Sequence, residues 1–174
     1  MKGMLHIDAS RCTGCKTCEL ECAVAHSEAK TLEGVISTGE KVQKRIFVEP
    51  AGALAVPLQC RHCEDAPCIS VCPTTAMRRY AQGFPVLIEE SLCIGCRACI
   101  AVCPFGVVFM GVSGKIVNKC DLCVRRLAKG ELPACAAGCP TKAISYVTPD
   151  RVAGDARRRA AESLLVAVER GAGS

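Results

Sequence analysis

The chain has 174 residues, of which sixteen are cysteine, none is Trp, two are Tyr and four are Phe, and its formal charge is +5. So few aromatics exclude a core built on large side chains, and so many cysteines leave disulfides, zinc or iron–sulfur clusters as the source of stability. The positive balance does not argue for nucleic acid, because the basic residues are dispersed and no aromatic platform accompanies them.

From the N-terminus, Met1 to Asp8 carries no apolar signal core and no cleavage site. This argues against secretion and a disulfide framework, and the protein is expected to be soluble and cytoplasmic. Met4–Asp8 reads as a short strand. The first cysteine group follows as C-x2-C-x2-C-x3-C, with Cys12, Cys15, Cys18 and Cys22. Ala23 stands after it rather than proline, so its helical turn is expected to run on towards His26. Residues Glu28 to Lys44, polar and glycine-containing, read as a surface loop. Arg45–Glu49 is the next strand, and the second group, Cys60, Cys63, Cys68 and Cys72, is closed by Pro73. Val86–Ile88 precedes the third group, Cys93, Cys96, Cys99 and Cys103, closed by Pro104. Strands are predicted at Val107–Met110, Ile116–Val117 and Ala143–Val147. The last two of these flank the fourth group, Cys120, Cys123, Cys135 and Cys139, closed by Pro140. Thr148, Pro149 and Asp150 then form a helix start. Val152, Ala156, Ala160, Leu164, Leu165 and Val168 lie mainly along one stripe of the helix that follows, and Gly171 is its expected end. Packing of that helix on its own domain is the simpler expectation; docking on a partner is the competing one. The longest apolar stretch, Ala98 to Val112, is about fifteen residues, short of the roughly 20 a membrane span needs.

Four groups of four leave no cysteine over. Their constant features are a leading C-x2-C and a closing C-x3-C. The first wraps a tight loop around a cluster corner so that backbone N–H groups point at it, which Gly14 and Gly95 make easy. The second puts two thiolates about one helical turn apart, aimed at different clusters. In the third group the whole run, ending in proline, is the bacterial pattern for [4Fe–4S] ligation, in which three thiolates hold one cluster and the fourth reaches a second. Cys103 is therefore expected not to share a cluster with Cys93, Cys96 and Cys99. Structural zinc sites pair two separated knuckles, whereas the first and third groups each pack four thiolates into about eleven residues. Four such clusters with their thiolates add about −8, turning the formal +5 into about −3. Arg11, Lys16, Arg61, Arg97, Lys119, Arg125 and Arg126 are expected to soften that charge and raise reduction potentials. His62, between two ligands, either hydrogen-bonds a cluster sulfide or faces solvent; His6 and His26 read as ordinary strand and helix-end residues. No catalytic pair or triad stands out.

Taken together, Cys12-Thr13-Gly14-Cys15-Lys16-Thr17-Cys18, Cys60-Arg61-His62-Cys63 through Cys72-Pro73, the third group, and Lys119-Cys120-Asp121-Leu122-Cys123 with Cys135 and Cys139 resemble the four-cluster electron-transfer subunit family. That family serves molybdenum and tungsten oxidoreductases, formate hydrogenlyase and CO dehydrogenase systems, and the likeness covers roughly residues 4 to 148. It implies an α+β fold of two interleaved ferredoxin-like units with short hairpins and a C-terminal helix. The outer unit is expected at 1–50 with 113–148, the inner at 51–112, and a helical tail at 149–174. The resemblance implies four [4Fe–4S] clusters in nested sets: Cys12, Cys15 and Cys18 with Cys139; Cys120, Cys123 and Cys135 with Cys22; Cys60, Cys63 and Cys68 with Cys103; Cys93, Cys96 and Cys99 with Cys72. It also implies a non-catalytic subunit of a hetero-oligomer, which passes single electrons between an electron donor or acceptor protein and a catalytic oxidoreductase subunit. That catalytic subunit would be a tungsten or molybdenum aldehyde or formate oxidoreductase, or a CO dehydrogenase. The compact form is most similar to the small subunits of tungsten aldehyde oxidoreductase and CO dehydrogenase systems. A free-standing diffusible polyferredoxin is the alternative reading, and a zinc-binding nucleic-acid or scaffold module the remoter one.

Overall fold

The computed structural model describes residues 3–171; Met1, Lys2 and positions 172–174 of the expected tail lie outside the described residues. The chain opens with β1 (Met4–Ile7), and α1 (Thr17–Ala25) grows out of the first cysteine group. A short helix, α2 (Leu32–Thr38), leads to the hairpin β2 (Ile46–Ala51) and β3 (Leu54–Gln59). The second group contains α3 (Pro67–Ser70), followed by β4 (Met77–Arg79) and β5 (Val86–Ile88). The third group contains α4 (Ala98–Ala101), followed by β6 (Phe109–Met110) and β7 (Val117–Asn118). The fourth contains α5 (Val124–Ala128) and α6 (Ala134–Ala137); β8 (Ile144–Val147) and α7 (Pro149–Gly171) follow.

The eight strands among the described residues pair antiparallel in twos: β1 with β8, β2 with β3, β4 with β5 and β6 with β7. The first pair joins the segment before the first cysteine group to the segment after the fourth, from Met4 opposite Val147 to Ile7 opposite Ile144. The fold is therefore α+β, with short hairpins and a C-terminal helix. Two-stranded ribbons are marginal alone. Here each is held by what it packs against, and much of that is sulfur. One core gathers Leu5, Ile46, Val48, Ala143 and Ile144 around Cys18, Cys22, Cys135 and Cys139. A second gathers Met77, Val86, Val108 and Val117 around Cys99. Cys60, Val107 and Cys120 form a third, small contact between them. Few large side chains reinforce this arrangement; one pair, Phe47 and Phe109, meets edge to face at 5.4 Å and ties β2 to β6. Glu19 on α1, buried, accepts from the Val48 N–H at 2.7 Å and pairs with Lys44 at 2.6 Å, which fixes α1 against β2.

The expected strands at Met4, Arg45, Val86 and Ala143 are present within a residue or two of their predicted ends. Val107–Met110 is a strand only at its last two residues, because Val107 and Val108 turn inward as core. The loop predicted over Glu28–Lys44 contains α2, capped at one end by the Thr31 hydroxyl accepting from the Gly34 N–H at 3.1 Å and at the other by left-handed Gly39. As anticipated from Ala23, α1 continues to His26, nine residues against four in α3, α4 and α6.

The tail departs from the simpler expectation. It begins as anticipated, with the Thr148 hydroxyl accepting from the Arg151 N–H at 3.4 Å. Val152 is half-buried, but Leu164, Leu165 and Val168 are 69%, 63% and 69% exposed, so the stripe does not pack on its own domain. Among the described residues, no helix is long and apolar enough to cross a membrane.

Candidate metal centres

Each leading C-x2-C is wound by left-handed residues. Gly14 and Lys16 (φ 71° and 59°) serve the first group, Gly95 and Arg97 (both 66°) the third, His62 (51°) the second, and Leu122 and Cys123 (59° and 49°) the fourth. This winding turns backbone N–H groups towards sulfur. The His62 N–H lies 3.4 Å from Cys60 Sγ and the Leu122 N–H 3.3 Å from Cys120 Sγ. The closing segments repeat as well. Thr75, Gly106 and Lys142, each three residues after a closing cysteine, are left-handed, and each N–H returns to that cysteine's carbonyl at 3.2 to 3.3 Å. The first group has no such turn, since α1 runs through the position.

Gly95 offers a direct test of the winding. A Cβ there would overlap the Lys115 carbonyl, a backbone atom that cannot step aside, whereas at Gly14 it would meet only Ala55 Cβ at 3.3 Å. Both replacements carry left-handed strain of about 1–2 kcal/mol. Gly95→Ala is expected to lose iron markedly faster than Gly14→Ala in an anaerobic chelator-release assay; equal rates would sink the steric argument.

The structure brings cysteines of different groups together. Cys12, Cys15, Cys18 and Cys139 line one small enclosed cavity, and Cys72, Cys93, Cys96 and Cys99 line another. Cys22, Cys120, Cys123 and Cys135 are all buried, and the last three thiols each feel the charge of Cys22. Cys60 and Cys103 act in the same way on Cys68, and Cys63, Cys68 and Cys103 pack around one core. Cys15 and Cys96 are the two exposed cysteines.

These pockets are hostile to bare thiolates. Burial pushes the Cys18 and Cys99 thiols up to about 11, and Cys123 likewise, with Asp121 and Cys22 adding to the effect. Burial likewise raises the Cys120 and Cys135 thiols well above the ordinary range. At Cys72 and Cys139 burial is outweighed by hydrogen bonds, from the Met77 N–H and the Thr74 hydroxyl at one and from the Ile144 N–H and the Thr141 hydroxyl at the other, and both thiols are lowered. Four thiolates in a pocket of low polarity require a cationic centre, which an iron–sulfur core supplies and empty space does not. The donor set, sulfur throughout with N–H groups aimed at it, fits [4Fe–4S] clusters.

Two histidines near the ligands differ from simple expectation. His62 is neither solvent-facing nor charged: burial, then the charge of Lys119, lower it to about 3, and its Nδ1 sits 3.2 Å from the Val86 carbonyl and 3.9 Å from Cys60 Sγ. His26 is more than an ordinary helix end. Its Nδ1 meets the Cys22 carbonyl at 2.7 Å and its Nε2 meets Asp121 at 3.0 Å, while Arg45 holds the other oxygen of Asp121 at 2.9 Å. Burial works against the imidazolium, but Asp121 and Cys22 prevail and raise it to about 9. This cluster clips the first group to the fourth. The signal for it was Asp121, an acid between two ligands, unread because its partner His26 lies 95 residues away along the chain.

Comparison with known proteins agrees with this chemistry. Residues 52–148 match a family model described as a 4Fe-4S dicluster domain, and residues 11–91 match a second model of the same description. An iron-sulfur protein of Rhodospirillum rubrum is 42% identical over 84% of this chain and 83% of its own length. The thiosulfate reductase electron transfer subunit PhsB of Salmonella typhi is 40% identical over 82% of this chain and 73% of its own. The electron transport protein HydN of Escherichia coli strain K12 is 36% identical over 92% and 98%. With sixteen cysteines in four groups and relatives named for electron transfer rather than catalysis, this chain is a four-cluster [4Fe–4S] electron-transfer protein and belongs to the 4Fe-4S dicluster domain family.

Proposed function

We propose that the protein is the relay subunit of a larger oxidoreductase and that its four clusters form one path in the order of the pockets just described. The ligand sets are the nested ones: Cys12, Cys15, Cys18 and Cys139; Cys22, Cys120, Cys123 and Cys135; Cys60, Cys63, Cys68 and Cys103; Cys72, Cys93, Cys96 and Cys99. When bound, each cluster takes up and releases one electron. The protein's part is to hold the sulfurs, keep water out and set the local charge.

The order follows from which sulfurs are neighbours. The charge of Cys18 reaches Cys135, linking the first set to the second. Cys60 and Cys120 share a core contact, linking the second to the third. The charge of Cys68 reaches Cys99, linking the third to the fourth. The exposed cysteines, Cys15 and Cys96, belong to the first and last sets, so electrons enter and leave at those two loops and the middle sets stay interior. That exposure pattern is the observation that carries the reading. The outer unit, 1–50 with 113–148, and the inner unit, 51–112, are proposed as the two halves of this path. The pairing of β1 with β8 supports the outer unit, as does a core drawn from those two segments.

Relatives named as chains of thiosulfate and dimethyl sulfoxide reductases support a catalytic partner. We propose a tungsten or molybdenum aldehyde or formate oxidoreductase, or a CO dehydrogenase, on one side and an electron donor or acceptor protein on the other. The complex would sit in the cytoplasm, where thiols stay reduced. Anaerobic pull-down from native cells, followed by a salt wash and metal analysis, tests this. Tungsten or molybdenum in the retained fraction marks a pterin oxidoreductase, and nickel marks CO dehydrogenase. A brown protein that comes off alone with about sixteen irons overturns the bound-subunit reading in favour of a diffusible carrier.

A further inference from the structure

Among the described residues, Lys119 is the only basic side chain that is buried, at 2% exposed. Its Nζ donates to the Val86 carbonyl and to the Cys120 carbonyl at 3.0 Å, and it takes part in none of the ion pairs among the described residues. Carbonyl dipoles alone are poor compensation for an ammonium removed from water. Opposite charge must be close by, and the surroundings say where it comes from. Lys119 precedes Cys120 of the second ligand set, and its charge reaches Cys68 of the third. Among the other basic residues near ligands, Lys16, Arg61, Arg97 and Arg125 are exposed, where water and salt weaken them, Arg45 and Arg126 are paired with Asp121 and Glu131, and Arg79 is only partly buried.

We propose that Lys119 is the internal counter-charge of the two interior clusters, and that its ammonium raises the reduction potential of both. The proposal rests on the ligand sets above. A cluster with its thiolates is negative, and an added electron makes it more so. Burial disfavours that electron; all four cysteines of the second set are buried, and the third has none that is exposed. With nothing to offset burial, the middle of the path would lie uphill from its exposed ends. A cation fixed between the two sets favours the reduced form of each, and its depth protects the effect from screening. The Val86 carbonyl positions it: Val86 on β5 is fully buried and accepts from Lys119 and His62 together, so the cation is held from the inner unit while its own backbone belongs to the outer.

The test is an EPR-monitored redox titration of the iron-loaded protein under anaerobic conditions, comparing Lys119→Gln and Lys119→Arg with the unaltered chain. In Lys119→Gln, two of the four one-electron components are expected to shift at least tenfold towards the oxidised form at their original midpoints, a fall of 59 mV or more. The other two should stay, and Lys119→Arg should stay close to the original in all four. If Lys119→Gln keeps its iron and all its midpoints, the proposal is overturned. If it cannot hold iron, iron content decides: retention by the Arg variant and loss by the Gln variant supports the charge, whereas loss by both leaves Lys119 a space-filling role and overturns it. Failure of the unaltered protein to bind about four clusters would instead bring down the ligand assignment itself.

Discussion

Stripping iron with a chelator under reducing, anaerobic conditions is expected to abolish the cooperative fold of residues 4–148, not merely loosen its loops. The apolar cores are small and interleaved with sulfur: Leu5, Ile46, Val48 and Ile144 share one buried cluster with Cys18, Cys22, Cys135 and Cys139. Without metal, those thiols leave pockets too small and apolar to hydrate well and too polar to pack as hydrocarbon. A structural zinc site contributes about 10–16 kcal/mol to the fold it holds. Ligation of that order at four centres exceeds the roughly 5–15 kcal/mol by which a domain is stable at all. Hydrogen exchange of the β1 and β8 amides gives the clearest readout, since their pairing joins the segments flanking the first and fourth cysteine groups. Loss of protection along with loss of colour is expected. Persistent protection in the iron-free protein would show that the hairpins stand by themselves.

The second large effect concerns the crossing of ligands. In Cys139→Ala, the cluster expected to disappear is that of Cys12, Cys15 and Cys18, although Cys139 lies four residues from Cys135 in sequence and far from the other three. Iron should fall from about sixteen atoms to about twelve. Alkylation of the intact protein should then label Cys12, Cys15 and Cys18 and spare Cys120, Cys123 and Cys135. Labelling of the fourth group instead would mean that each group closes on its own cluster, and the nested path would fall with it. Because the first set is one end of that path, transfer through the complex should drop by more than tenfold, a loss of over 1.4 kcal/mol in barrier terms.

The metal chemistry and the layout of cysteine groups between short strands were legible because both are local. Spacing dictates the loops, and the residue after each closing cysteine dictates whether a turn or a helix follows; Ala23 against Pro73, Pro104 and Pro140 sorts α1 from the rest. What was not legible depends on pairing across the chain. β3 carries Pro57, which argues against a strand in a wide sheet but is tolerated in a two-stranded ribbon, where Pro57 stands opposite Val48. β4 is three residues long and is defined by β5 alone. Lys119 reads in sequence as one of several basic residues beside ligands, with nothing to single it out, and only the closure of β5 over it makes it interior. The stripe on α7 was visible, but periodicity tells which face is apolar and not what covers it.

The closure of β1 on β8 and the meeting of Cys18 with Cys139 also govern how the protein is made. About 120 residues separate those two cysteines. At the usual 5–20 residues per second, the ribosome leaves the first three thiols without their fourth for roughly 6–24 s. The inner set of ligands is complete well before that. Maturation should therefore run from the middle of the chain outward, and the N-terminal thiols are the ones oxygen finds first.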